Sequence, residues 1–246
     1  MLRSRIIPML LLRDSGLVKT RGFKDDKYVG DPINAVKVFN EKEVDELTIL
    51  DIDATVERRE PNYEHLRSIA VESRMPLCYG GGVTSAEQAS RLISLGFEKV
   101  SVSNAAVRRP ELVREMAEAV GRQSVVVTLD VRKSGPFRQH SVCTHNGRNV
   151  AKATLLDLVR QFEQLGAGEI AINNIDRDGM MQGYDLGLAM SVRNAVSVPL
   201  TMIGGAGNSG HMRELIDSIG VCGAAAGSMF VFNGVYRAVL ISYARP

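Results

Sequence analysis

A chain of 246 residues with 45% hydrophobic and 24% charged side chains has the composition of a globular protein with one sizeable core. Its formal net charge of +2 argues against the broad basic footprint of a nucleic-acid binder, and no apolar run approaches the ~20 residues of a membrane span. Three scattered cysteines, Cys78, Cys143 and Cys222, give no disulfide framework and point to a reducing, cytoplasmic setting.

In chain order, the apolar run Ile6 to Leu12 meets Arg13 and Asp14 rather than a small-residue cleavage site. It therefore reads as a first buried strand and not as a signal peptide. Further short apolar runs predict strands at Glu46–Asp51, Leu77–Gly80, Lys99–Ser103, Ser124–Val131, Glu169–Asn173, Leu200–Ile203 and Gly223–Ala226. Helical patterns lie between them. Thr84-Ser85-Ala86-Glu87 predicts a capping box opening a helix over Ser85–Leu95, which Gly96 closes. Pro110 opens Pro110–Val120 as a first-turn proline, and Gly121 ends it. Leu155–Leu165 stops at Gly166, and His211–Ile219 at Gly220. Eight such strand–helix units predict a single α/β domain over 1–246, a (β/α)8 TIM barrel. An open doubly wound sheet would call for a GxGxxG turn after its first strand, and none is present.

The sequence also repeats within itself. Met75-Pro76-Leu77 to Gly82 matches Val198-Pro199-Leu200 to Gly205 at a shift of 123, and Glu46-Leu47 to Asp53 falls on Glu169-Ile170 to Asp176 at the same shift. Arg13-Asp14-Ser15-Gly16 matches Arg132-Lys133-Ser134-Gly135 at a shift of 119. Three matches in one order predict two (βα)4 half-barrels, about 1–120 and 121–246.

Chemistry in a barrel sits where strands end. Gly80-Gly81-Gly82 and Gly204-Gly205-Ala206-Gly207 follow the third and seventh strands, and glycine lets backbone N–H groups converge on phosphate oxygens. Their partners after the next strands are Ser103-Asn104 and Gly227-Ser228. Two such turns half a barrel apart suit a ligand with a phosphate at each end. Asp130 closes the run SVVVTLD as a candidate general acid or base, but Leu11 holds the equivalent position in the first half. Leucine transfers no protons, which excludes a symmetric two-carboxylate mechanism. Arg5, Glu46, Lys99 and Glu169 each open a strand and should ring the opposite mouth, where two positives and two negatives can pair. His140, Cys143 and His145 form no expected metal set, because strand alternation turns His140 away from the other two. His65 and His211, in helical patterns, read as surface residues, and Cys78 and Cys222 as core.

Taken together, the chain resembles the cyclase subunit family of imidazole glycerol phosphate synthase over essentially its whole length. The likeness rests on RII at Arg5–Ile7, GDP at Gly30–Pro32, DEL at Asp45–Leu47, LDI at Leu50–Ile52, GGG at Gly80–Gly82 and AAV at Ala105–Val107. It continues with VVV at Val125–Val127 and Asp130, GAGEI at Gly166–Ile170, IDRDG at Ile175–Gly179, GYD at Gly183–Asp185 and GGAG at Gly204–Gly207. The resemblance implies two aspartates as acid and base, of which Asp130 matches the second while Leu11 stands at the first. It implies one substrate phosphate around Gly82, Ser103 and Asn104 and another at Asp178, Gly179, Gly205 and Ser228, with Lys19 and Phe23 on a mobile covering loop. Ser103-Asn104 replaces the family's Asn-Thr, Asn173 replaces a hydroxyl side chain, and Met180-Met181 replaces a smaller polar residue after IDRDG.

In the same family the ring of Arg5, Glu46, Lys99 and Glu169 is the gate through which ammonia enters from a glutaminase subunit docked on the N-terminal face. Acidic residues help that docking, and Asp45 and Glu98 stand at suitable positions. No cofactor is implied. The expectation is a divergent paralogue that accepts ammonia and a bis-phosphorylated or sugar-phosphate ligand. It would serve, with a third amidotransferase protein, the making of acetamidino sugars for surface polysaccharide. The alternatives are an authentic cyclase of histidine synthesis in which Asp130 suffices or another carboxylate, such as Asp51 or Asp53, substitutes, the sibling sugar-phosphate isomerase, and a non-catalytic ammonia-channelling scaffold.

Overall fold

Runs such as Val125-Val126-Val127-Thr128-Leu129 are β-branched and apolar at successive positions, as strands covered on both faces require. In the computed structural model, which describes residues 3–135, 139–234 and 236–246, these runs become eight barrel strands. They are β1 (Arg5–Arg13), β2 (Leu47–Asp51), β3 (Leu77–Gly80), β4 (Lys99–Val102), β5 (Val125–Ser134), β6 (Glu169–Asn174), β7 (Leu200–Ile203) and β8 (Gly223–Ala226). Each pairs in parallel with the next, and the circle closes where Arg5–Pro8 of β1 lie beside Gly223–Ala226 of β8. Helices connect the strands, so the fold is a (β/α)8 TIM barrel.

Local chemistry differs from the sequence reading at three points. The helix Ala86–Ser94 is capped by Ser85, whose hydroxyl accepts from the Gln88 N–H, and the Gln88 side chain reaches back to the Thr84 N–H. The box is thus Ser85 with Gln88, one position on from Thr84 with Glu87. Pro110 caps the helix Glu111–Val120 rather than occupying its first turn. Two antiparallel additions were not anticipated. Gly16–Arg21 and Lys24–Gly30 form a hairpin on the end of β1, and Gln139–Thr144 pairs back on β5 from Asp130 to Ser134. The second addition explains why β5 runs past Val131.

Side-chain alternation sorts each barrel strand into two faces. On β1 the buried Ile6 and Leu10 join the outer core between strands and helices, while Ile7 and Met9 point to the axis. The axial cluster of Ile7, Met9, Cys78, Val126, Ala171, Ile203 and Ala225 is small and apolar. The same alternation carries Arg5 below it and Leu11 above it on one face of β1. Six residues of strand put those side chains roughly 20 Å apart. One periodicity therefore builds both mouths of the barrel.

Candidate functional site

At the carboxyl ends of the strands lies a cavity of about 1000 Å³. Leu11, Lys19, Phe23, Gly82, Ser103, Asn104, Asp130, Asp178, Gly179, Gly205 and Ser228 all line it, so the sequence-derived candidates converge on one chamber. The glycine turns are glycine for steric reasons. A Cβ on Gly82 (φ +70°) would lie 2.4 Å from the Arg59 carbonyl, and one on Gly205 (φ +114°) 2.1 Å from the Gly183 carbonyl. No side chain fits either place. His211, expected at the surface, instead supports the second turn by accepting from the Gly207 N–H at 3.1 Å.

Asp130 sits on the inward face of β5, beside Asn173 at the same register of β6. The Asn173 amide donates to its Oδ1 at 2.9 Å. Burial pushes the Asp130 carboxyl up to about 7; the bond from Asn173 opposes this, and the charge of Asp178 adds to it. Lys19 departs from the sequence reading. Rather than riding on a covering loop, it belongs to the hairpin strand Gly16–Arg21 and is buried, with its ammonium donating to the Met9 carbonyl. Burial lowers it to about 8, and only Asp178 opposes that. Asp178 fastens the hairpin. Its Oδ2 accepts from Thr20 Oγ1 at 2.8 Å and from the Phe23 N–H at 3.4 Å, and burial holds its carboxyl above the usual range despite those bonds. Composition and spacing alone did not single out Arg58, Arg59, Arg108 and Arg148, which also line the chamber. Their signal was positive charge in the turns and the short helix Asn104–Arg108 that follow strands.

The opposite mouth is built differently. Arg5 donates to Glu46 and to Glu169 (2.8 Å), and Lys99 donates to Glu46 (2.7 Å) and Glu169 (2.9 Å), so the four strand-opening charges close a ring. Thr201 Oγ1 adds a bond to Glu169 at 2.5 Å. For Arg5, Lys99 and Glu169 burial disfavours the charge, but opposite neighbours outweigh it. Glu169 is held below the usual carboxylate range by Lys99 and Arg5, while Glu169 and Glu46 hold Arg5 and Lys99 above theirs. Above the ring, a void of about 20 Å³ is bordered by the hydroxyls of Thr48, Ser101, Thr128 and Thr201. Asp45, expected as a docking acid, is committed within the chain. It accepts from the Ile6 N–H (2.9 Å), Arg3 (3.0 Å), Arg245 (3.3 Å) and the Tyr243 hydroxyl (3.3 Å), whereas Glu98 is exposed.

The histidine–cysteine trio takes separate roles. His140 Nε2 faces Asp185 Oδ2 at 3.2 Å, Cys143 is buried, and His145 Nδ1 lies against Thr144. Among the described residues no three His, Cys, Asp or Glu side chains gather as a metal set.

An eight-stranded parallel barrel with its chamber at the strand ends defines a (β/α)8 barrel protein. The chain belongs to the histidine biosynthesis protein family, whose profile matches residues 5–237, and within it to the imidazole glycerol phosphate synthase cyclase-subunit type. It is 52% identical over 246 residues to the "Putative imidazole glycerol phosphate synthase subunit hisF3" of Vibrio vulnificus strain YJ016, covering 100% of this chain and 95% of the relative. The "Putative imidazole glycerol phosphate synthase subunit HisF" of Leptospira borgpetersenii is 49% identical over 243 residues, covering 99% and 96%. The "Imidazole glycerol phosphate synthase subunit HisF" of Thermobifida fusca strain YX is 39% identical over 235 residues, covering 94% and 91%.

Proposed function

We propose that this barrel takes ammonia through its charge ring from a HisH-like glutaminase docked on the N-terminal face. It presents that ammonia in the upper chamber to a bis-phosphorylated or sugar-phosphate ligand. Glycine turns near Gly82 and Gly205 hold the phosphates, aided by Ser103, Asn104, Asp178, Gly179 and Ser228. Ring closure of the family type is curtailed, because Asp130 has lost its partner carboxylate. The ammonia then serves amidotransfer to an acetamidino sugar of surface polysaccharide, with a third protein as acceptor enzyme. The observation that carries this reading is the inward face of β1. It runs from Arg5, bonded into the ring, to Leu11 on the chamber wall, so the charges proposed for ammonia entry are present where the second proton-transfer carboxylate is missing. The numbered name of the Vibrio relative fits an additional gene copy with its own task.

A second reading, full cyclase activity, has Asp130 near neutrality in its favour. The candidates to replace its partner are poorly placed for that. Asp51 Oδ1 accepts from the Asp53 and Ala54 N–H groups (3.2 and 3.0 Å), and Asp53 is paired with Arg13 at 2.6 Å.

Ammonia-dependent turnover of the bis-phosphorylated ribulosyl nucleotide separates the two. Leu11→Asp is expected to raise it about 100-fold, the contribution of one general acid or base. A wild-type rate already equal to that of the variant would give the second reading the chain. Lys99→Ala or Arg5→Ala, each assayed below its own melting temperature because it leaves Glu46 and Glu169 one partner short, should lower glutamine-dependent product formation more than ammonia-dependent turnover, and no change in either removes the gate.

A further inference from the structure

The Asn173 side chain is used at one end only. Its Nδ2 donates to Asp130 Oδ1 at 2.9 Å, yet its Oδ1 is buried with no hydrogen-bond partner among the described residues. A Cβ on Gly204 would stand 3.5 Å from that oxygen, at ordinary contact distance, so the oxygen faces the start of the second glycine turn. A buried acceptor left unpaired is costly, and such groups call for a reason. An amide has an option that an apolar neighbour lacks. As drawn, it offers N–H to a carboxylate. Turned over about its terminal torsion, it offers C=O to a carboxylic acid, so one bond to Asp130 is kept in either protonation state while Nδ2 takes the place the oxygen leaves.

We infer that Asn173 is the positioning residue that lets Asp130 work as both base and acid, holding the carboxyl in one orientation through either protonation state. The inference rests on the reading that Leu11 leaves Asp130 as the chamber's acid–base carboxylate. A single group must then do in sequence what two would share. As base, the Asp130 carboxylate takes a proton from an N–H of the ammonia adduct and becomes a neutral acid. Asn173 turns, and its Oδ1 accepts the new O–H. As acid, Asp130 returns the proton to an oxygen of the same ligand, the carboxylate is restored, and Asn173 turns back. No net proton, electron or co-reactant is consumed.

The groups that face Asp130 are Asn173 and Asp178 from the β6 side and Cys143 from the antiparallel strand. Burial and the Asp178 charge favour the neutral acid, and the Asn173 N–H favours the carboxylate. The carboxyl is therefore set near 7, where both states are populated at physiological pH.

The test is a carboxyl and side-chain-amide NMR titration of the full chain. In wild type, the Asn173 amide signals should shift with the same midpoint as the Asp130 carboxyl, because the amide reports the turn. In Asn173→Leu the Asp130 midpoint should rise by about one pH unit, a tenfold change in its acidity, and Asn173→Thr should recover at least half of that shift. An unresponsive Asn173 amide overturns the inference without any variant. So does an unmoved Asp130 midpoint in Asn173→Leu or, where that variant misfolds, in Asn173→Ala. Thermal melting of each variant separates these shifts from simple loss of fold. The titration needs neither ligand nor glutaminase. Failure of the glutamine-dependent experiments above would remove the ammonia reading and leave this result standing.

Discussion

The two mouths of the barrel are made from the same inward-facing strand positions and hold their charges in opposite ways. At the N-terminal mouth Arg5, Glu46, Lys99 and Glu169 neutralise one another, and pairing keeps Arg5, Lys99 and Glu169 firmly ionised. At the C-terminal mouth Asp130 and Lys19 are buried with too little opposite charge, so one rises to about 7 and the other falls to about 8. A closed ring of fixed charge is a structural and selective element. A chamber of groups near neutrality is a place for protons to move.

The largest expected effect comes from breaking the ring. Glu169→Leu leaves Arg5 and Lys99 each without one of its two carboxylates in a largely buried setting, and about 3–5 kcal/mol of unfolding free energy should be lost. Denaturant midpoints check this, and a loss below 1 kcal/mol would mean that water already screens the ring. Next is Gly205→Ala on the chamber side. Positive φ and a Cβ only 2.1 Å from the Gly183 carbonyl predict about 2–3 kcal/mol of destabilisation. An unchanged melting temperature would show that the turn relaxes.

The smallest effect has the opposite sign. Asp130 titrates near 7 when folded, against an ordinary 3.8, so between those values the folded chain binds more protons than the unfolded one. Its contribution to stability therefore falls as pH rises from about 4 to about 7 and stays at its lowest above that. Asp130→Asn should consequently be more stable than wild type at pH 8 and level with it near pH 4. Equal stability at both pH values would show that the carboxyl is solvated.

Much of this contrast was legible beforehand because it follows from period-two alternation. Once Ile6–Leu12 reads as a strand, Arg5 and Leu11 must share a face, and Lys99 and Ser103 likewise. The β1 hairpin was not legible. Its outer strand, Lys24–Gly30, is exposed at five successive positions and shows no alternation. Its turn takes positive φ at Gly22 and at Phe23, so phenylalanine occupies a position where glycine is the usual signal. Missing the hairpin misplaced Lys19, which a loop would have left in solvent. Asp45 was misread for a related reason. Spacing put it at the correct mouth, but its partners Tyr243 and Arg245 come from the far end of the chain, and nothing local announces them.

That last contact joins the chain's extremities. Arg3 and Arg245 reach the same oxygen of Asp45, at 3.0 and 3.3 Å. Positions 3 and 245 are therefore tied to one carboxylate, across a gap that two arginine side chains span. A short peptide linker across that gap, with new ends cut at Gly121 between the helix Glu111–Val120 and β5, would exchange the order of the two halves without moving a strand. Such a circular permutant would ask whether either half needs to emerge first for the barrel to close.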